Sequence, residues 1–252
     1  MFDFGFDEGG TSGETLLVSA QFGSTASMAR LERGWKTALS KGGVPFFHSK
    51  DYYNLTHGVF AGLGGAERRR LLKRLAELLH KRATMGITAC ISEPLYERLT
   101  TQPFRSKWGS AYSFAVQMVL LAGHVLLKQI NRKDEPVNIL IAEGHRNLGQ
   151  VDLQLEELQR ASPFLRIKTH GRGKMADWGI LQAADMLAYA MWEKRGASRP
   201  EIYNTLHASG KGSYNSAVVD CNEELIESIS HGVDAYVVAR RAWGQRRVIP
   251  SA

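Results

Sequence analysis

Phe2, Phe4 and Phe6 alternate with Asp3, Gly5 and Asp7, a period of two that predicts a strand with one buried face. A second strand is expected over residues 15–22. The glycine-rich stretch 9–13 joins the two as a hairpin whose loop exceeds the minimal two residues. A helix over 28–40 stops at Gly42-Gly43, and 44–51 reads as a short strand or extended run. In residues 66–82, Leu71, Leu72, Leu75, Leu78 and Leu79 form an apolar stripe at helical spacing, with Arg68, Arg69, Arg70, Lys73 and Arg74 on the remainder. Strands are then expected over 85–92, 137–142 and 164–169, and helices over 110–130, 151–161, 178–193 and 222–243. Paired strands come first and strands alternating with helices follow. That order predicts one α/β domain over 1–252, a mixed sheet flanked by helices.

The apolar run 114–127 is interrupted by Gln117, Gly123 and His124 and is shorter than the ~20 residues a bilayer span needs, so it reads as a core helix. His124, within it, is expected to be core. The opening residues carry Asp3, Asp7 and Glu8 and no basic segment, unlike a secretory signal. Cys90 and Cys221 are too few for a disulfide framework or a four-cysteine zinc site, which points to a reduced, cytoplasmic setting. Lys and Arg outnumber Asp and Glu by 32 to 25, a net charge of +7 that suits a polyanionic partner such as nucleic acid.

The chemistry-bearing residues are carboxylates at structurally telling places. Asp7 ends the first strand, Glu143 ends the strand over 137–142, and Asp185 sits among Ala183, Ala184, Met186, Leu187 and Ala188 inside an apolar helix. A buried, unpaired carboxylate is costly, so Asp185 requires a lysine, an arginine or a metal. If the three meet, each pair ~4 Å apart costs about 4 kcal/mol at an effective dielectric of 20. Mg2+ or Mn2+ would remove that cost, being hard ions that prefer oxygen ligands. Glu8 is the next candidate metal ligand, with Asp152 and Asp177 in reserve.

Competing roles stand beside these. Asp7 could cap the turn, Asp185 could form a salt bridge, and Glu143 could pair with Arg146. Asp177 suits the N-cap of the helix that follows it, and Asp152 the first turn of its own helix. His48, Lys50, Arg172 and Lys174 are candidate substrate contacts, and His145 is a weaker one. The arginine-rich face 68–74 and the cluster Arg240, Arg241, Arg246 and Arg247 could follow a phosphate backbone or be merely solvated. Trp243 beside that cluster suits base stacking or the core.

Two segments resemble a known family. Phe6-Asp7-Glu8-Gly9 is similar to the N-terminal Asp-Glu-Ser-Gly signature of the domain-of-unknown-function 3800 family, and residues 179–189, with Gln182-Ala183-Ala184-Asp185, resemble its C-terminal Gln-Leu-Ala-Asp motif. Phe47-His48-Ser49-Lys50-Asp51 is similar to a looser histidine-containing stretch between them. The resemblance implies an RNase H-like fold and nuclease activity. Two departures stand out: Gly9-Gly10 replaces Ser-Gly, and Glu143 stands where members commonly carry Asp. With no metalloprotease, phosphate-loop, serine-hydrolase or Cys-x-x-Cys pattern in the chain, the expectation is a two-metal nuclease built on Asp7, Glu143 and Asp185. The alternatives are an inactive binding module for nucleic acid or protein on the same fold, and a phosphoesterase for small molecules.

Overall fold

The computed structural model describes residues 1–10, 14–54, 56–144, 147–161, 165–196, 200–207 and 214–232, with 234 and 237. In chain order the elements are β1 (Phe2–Gly10), β2 (Thr15–Ser24), α1 (Thr25–Lys41), α2 (Ser49–Tyr52), α3 (Gly65–Arg82), β3 (Met85–Ser92), α4 (Glu93–Leu99), α5 (Gln102–Trp108), α6 (Ala111–Gln129), β4 (Val137–Ala142), α7 (Leu148–Ala161), β5 (Ile167–Gly173), α8 (Gly179–Gly196), α9 (Glu201–His207), β6 (Ser216–Cys221) and α10 (Glu223–Ser230).

The strands form one sheet in the order β5-β4-β1-β2-β3-β6. β1, β2 and β3 pair antiparallel; β4 joins β1 and β5 joins β4 in parallel, and β6 runs parallel beside β3. Three antiparallel strands continuing into two parallel ones make this the RNase H-like arrangement, with β6 added at one edge. The alternation read in β1 is realised. Phe2, Phe4 and Phe6 lie in a core with Phe22, Ile87, Ile139 and the inner face of α6, and Phe4 and Phe22 stack at 5.0 Å. α6 is long and apolar enough to cross a membrane by length and composition, but it is buried nearly all round in this layer.

The opposite face of β1 carries Gly5, Asp7 and Gly9, and α8 lies directly on it. A Cβ at Gly5 would sit 2.6 Å from Ile180 Cγ1, and one at Gly9 would sit 3.2 Å from Ala188 Cβ. The two glycines and the alanines of α8 let helix and strand approach closely on either side of Asp7. α1 and α9 pack against α8, with α3 backing both of them, which accounts for α8 being buried almost all round rather than along one stripe.

Several expectations need correction. Residues 44–51 form no strand: an extended stretch leads into the short α2, since Pro45 offers no ladder N–H and the neighbouring amides are taken by side chains of α8. β5 is displaced towards Gly173 relative to 164–169, because pairing with β4 rather than apolarity sets its span; Phe164 lies outside the described residues. Arg172 therefore lies within β5 and Lys174 directly after it. α4 and α5 were not anticipated, although each has a hydroxyl cap (Ser92, Thr101) and a proline in its first turn. α9 and β6 were not anticipated either. α10 stops at Ser230, before Gly232 at φ 89°; Trp243 and the arginines at 240, 241, 246 and 247 fall outside the described residues. Cys90 and Cys221 are free and buried on opposite faces of the sheet.

Candidate active site

The parallel pair β1 and β4 runs to the same sheet edge. Their last paired residues are Phe6 and Ile141, so Asp7 and Glu143 both lie just past this pairing; β1 does not end at Asp7 as expected but runs on to Gly10, because β2 continues to pair with it. The carboxyl ends of parallel strands are where α/β sheets place ligands. α8 crosses here and brings Asp185 in from the side. The result is a cavity of about 260 Å³ whose polar lining includes Asp7, Glu8, His48, Glu143 and Asp185. Residues separated by most of the chain thus share one small space.

Asp7 and Asp185 are its buried members, 8% and 6% exposed, while Glu8 is half-buried and Glu143 stands exposed on the rim. Burial, and then the Asp185 charge, push the Asp7 carboxyl well above the usual carboxylate range. Burial pushes Asp185 up to about 6, against the lowering effect of the Ser49 N–H and of His48. Two neighbouring buried carboxylates raise the cost of ionising each other, a cost that a cation would offset. Tyr112, in the first turn of α6, completes the wall; its hydroxyl is pushed up by burial and by Glu8 and Asp7.

The Gln182-x-x-Asp185 pair acts as a double anchor. Gln182 Oε1 accepts from Trp35 Nε1 at 2.9 Å and from the Phe47 N–H at 2.8 Å, and its amide group donates to Met175 O at 3.0 Å. One turn on, Asp185 Oδ2 accepts from the Ser49 N–H at 2.7 Å. The two held amides flank His48, which turns its ring into the cavity. Its Nδ1 lies 3.2 Å from Asp51 Oδ2, which leaves Nε2 as the ring nitrogen not engaged by Asp51. Tyr53 donates to the buried Glu193, and Tyr52 donates to Glu201 at 3.0 Å, so the far end of the segment is tied down as well. Replacing Gln182 with Leu would strand two donors that are buried with Trp35 and Phe47. The expected loss is about 2–4 kcal/mol in urea unfolding, with faster exchange of the Phe47 amide.

Other candidates sit elsewhere. Lys50 and Lys174 are exposed and do not line the cavity, although each lies within two residues of a lining residue, His48 or Met175. Arg172 pairs with Asp152, which removes Asp152 from the ligand reserve. Asp177 is not the N-cap of α8. It ends the 3-10 turn Met175–Asp177, and the first α8 amide, Gly179 N–H, donates instead to Glu32 at 2.7 Å. Asp152 stands in the second turn of α7, because that helix starts at Leu148. His145 and Arg146 fall outside the described residues. His124 is core, as expected.

Among the described residues, no three His, Cys, Asp or Glu side chains stand close enough to form a ready-made metal cage. The donor set nevertheless fits a hard divalent cation: two buried carboxylates with raised affinity for protons, and two further acids at the same opening. Tyr112, Asp51 and the anchoring role of Gln182 escaped the sequence reading. Only Gln182 had a usable signal there, being a polar residue one turn before Asp185 in an apolar helix.

No family model matches this sequence, and no curated protein matches it. Among solved structures the chain is similar to Bst-RNase HIII in complex with Mn2+, at 16% identity and a TM-score of 0.34, over 80% of this chain and 65% of that one. It is also similar to a glutamine-to-alanine mutant of Bst-RNase HIII, at 16% identity and a TM-score of 0.35, over 97% and 70%. The chain thus spans slightly less than two thirds of the first of these. At this level neither likeness bears on the site or its chemistry.

Proposed function

We propose that the chain is a divalent-metal-dependent nuclease that hydrolyses phosphodiester bonds of DNA or RNA. The observation that carries this reading is the pair Asp7 and Asp185, both buried and lining one cavity where β1 and β4 part, with their carboxyls pushed up by burial and, for Asp7, by the neighbouring Asp185 charge. The short motifs that resemble the domain-of-unknown-function 3800 family lie on these same residues, and the net charge of +7 suits a polyanionic substrate.

Asp7 and Asp185 would hold Mg2+ or Mn2+, with Glu143 and Glu8 as further oxygen donors from the opening. When bound, such an ion neutralises the paired carboxylates and supplies a Lewis acid for a phosphoryl oxygen. His48, with its orientation fixed by the amides on either side, presents Nε2 as an acceptor for a water or hydroxyl proton. Tyr112 offers a neutral hydroxyl that can donate to a phosphate oxygen. Close packing of α8 on Gly5 and Gly9 keeps bulk water away from the buried side of the pair.

A binding module without turnover is the second reading, favoured by the exposed position of Glu143 and by the lack of a three-ligand cage among the described residues. A substrate panel separates the readings. Single- and double-stranded DNA, RNA, an RNA/DNA hybrid and an aryl phosphate ester would each be incubated with Mg2+, Mn2+ or EDTA. Cleavage of at least one polynucleotide in Mn2+ or Mg2+, none in EDTA and an untouched ester is the expected pattern. Undiminished cleavage in EDTA rejects metal dependence, turnover of the ester alone points to a small-molecule phosphoesterase, and no cleavage of any substrate favours the binding module.

A further inference from the structure

α1 packs against both α8 and α3, and the surface that α1 and α3 share is not used by the carboxylate cavity. The two helices run antiparallel: a Cβ added at Gly34 would lie 2.8 Å from Leu78, and one at Gly42 would lie 3.2 Å from Leu71. Above that close contact lies an open groove of about 560 Å³. Arg33, Thr37 and Lys41 line one wall at successive turns of α1, and Arg70 and Arg74 line the other on α3.

The charges in this groove are unbalanced. Four cations face one carboxylate, Glu67. That carboxylate is already committed, since its Oε2 accepts from the Gly64 N–H at 2.9 Å and caps α3. Arg74 has only a solvent-exposed partner, Glu77 at 3.3 Å, and exposed pairs of this kind are worth little. Among the described residues, Arg33, Lys41 and Arg70 have no acid within ion-pair distance, although Lys36 and Glu32, beside them on α1, do pair. Like charges on two facing walls repel, and an anion along the groove relieves both walls at once.

The spacing selects the kind of anion. Arg33 and Lys41 are eight residues apart, about 12 Å along the helix axis. A single phosphate cannot meet both. A polynucleotide strand, with a phosphate for every ~3.4 Å of rise, spans that distance in about three steps. Guanidinium groups, which supply three of the four charges, suit phosphate oxygens by their forked geometry.

We propose that the α1–α3 groove is a second nucleic-acid site, an exosite that grips the phosphodiester backbone away from the carboxylate cavity. It rests on the nuclease reading only for the identity of the polymer. The test is binding in EDTA, where cleavage plays no part. Fluorescence anisotropy of labelled single- and double-stranded 20-mers would be followed from 50 to 300 mM salt. The variant Arg33→Ala/Lys41→Ala/Arg70→Ala alters exposed side chains only, and Arg98→Ala/Lys133→Ala/Lys168→Ala, on other surfaces, removes the same charge.

The groove variant is expected to bind at least tenfold more weakly at 100 mM salt, with a log–log salt slope shallower by about two to three, while the control keeps the wild-type slope. Equal behaviour of the two variants overturns the proposal, as does a wild-type protein that does not bind. Displacement of the oligonucleotide by inorganic pyrophosphate as readily as by unlabelled strand, at matched phosphate concentration, overturns it in favour of a small-phosphate site. Intact groove-dependent binding without cleavage in metal would instead reject the nuclease reading and leave the exosite standing.

Discussion

Asp185→Asn is expected to lower metal-dependent cleavage at least a thousandfold while leaving the protein folded and, without metal, more stable. The side chain is 6% exposed, and its one described hydrogen bond is accepted from the Ser49 N–H. The Asn carbonyl can accept the same bond, so the segment carrying His48 stays in place. What disappears is the negative charge, and with it half of the buried pair that would hold the cation. A metal ion's contribution to a phosphoryl transition state is several kcal/mol, and ~4 kcal/mol corresponds to about three orders of magnitude in rate. Burying an uncompensated charge costs stability, so its removal should raise the free energy of urea unfolding at pH 7 by about 1–3 kcal/mol. Asp7→Asn should behave alike. Asp185→Ala separates the two roles of this residue: it also strands the buried Ser49 amide, and so should lose about 1–3 kcal/mol relative to Asn. Rates near wild type in both Asn variants would reject the site.

The second large effect is on stability as pH and metal change together. In the folded protein Asp185 holds its proton up to about 6, against 3.8 for an ordinary Asp. The folded state therefore binds more protons than the unfolded state across this window, and stability must fall as pH rises through it. The loss ascribed to Asp185 is on the order of 3 kcal/mol, and Asp7, shifted in the same direction by burial and by Asp185, adds to it. A divalent cation takes the place of the protons. At a hundred times its dissociation constant it should restore about 2.7 kcal/mol, and it should do so above pH 6 but not at pH 4, where protons compete. Calorimetric melting from pH 4 to 8, in EDTA and in MnCl2, checks this. Subtracting the Asp185→Asn profile isolates the pair from the other titrating groups. Wild-type and variant profiles that run parallel, with no response to Mn2+, would contradict it.

Periodicity revealed most of the frame because local rules held there. The alternation of Phe2, Phe4 and Phe6, the strands Met85–Ser92 and Val137–Ala142, and the leucine stripe of α3 all bury an apolar face of the expected period. It failed where tertiary contacts overrule local preference. β5 is a polar edge strand defined by its neighbour, and residues 44–48 owe their shape to Gln182 and Asp185, more than 130 residues away. Asp7 and Asp185 were legible because a carboxylate closing a phenylalanine alternation and another in an apolar helix each demand an explanation, although β1 runs on past Asp7 to Gly10. Tyr112 and Asp51 were not, since a tyrosine near a helix start and an acid after a histidine are ordinary until the fold brings Tyr112 to the cavity and Asp51 against His48. The role of Gly5 and Gly9 was hidden for the same reason: two glycines alternating with phenylalanines mark a close approach only once α8 is known to lie on them.

Diffraction from crystals soaked in MnCl2, recorded with anomalous signal from manganese, addresses the metal site most directly. An anomalous peak between the Asp7 and Asp185 carboxylates, absent from crystals of Asp185→Asn, is the predicted result. A fully soaked crystal with no peak there, or with the two carboxylates turned to separate surroundings, would contradict it.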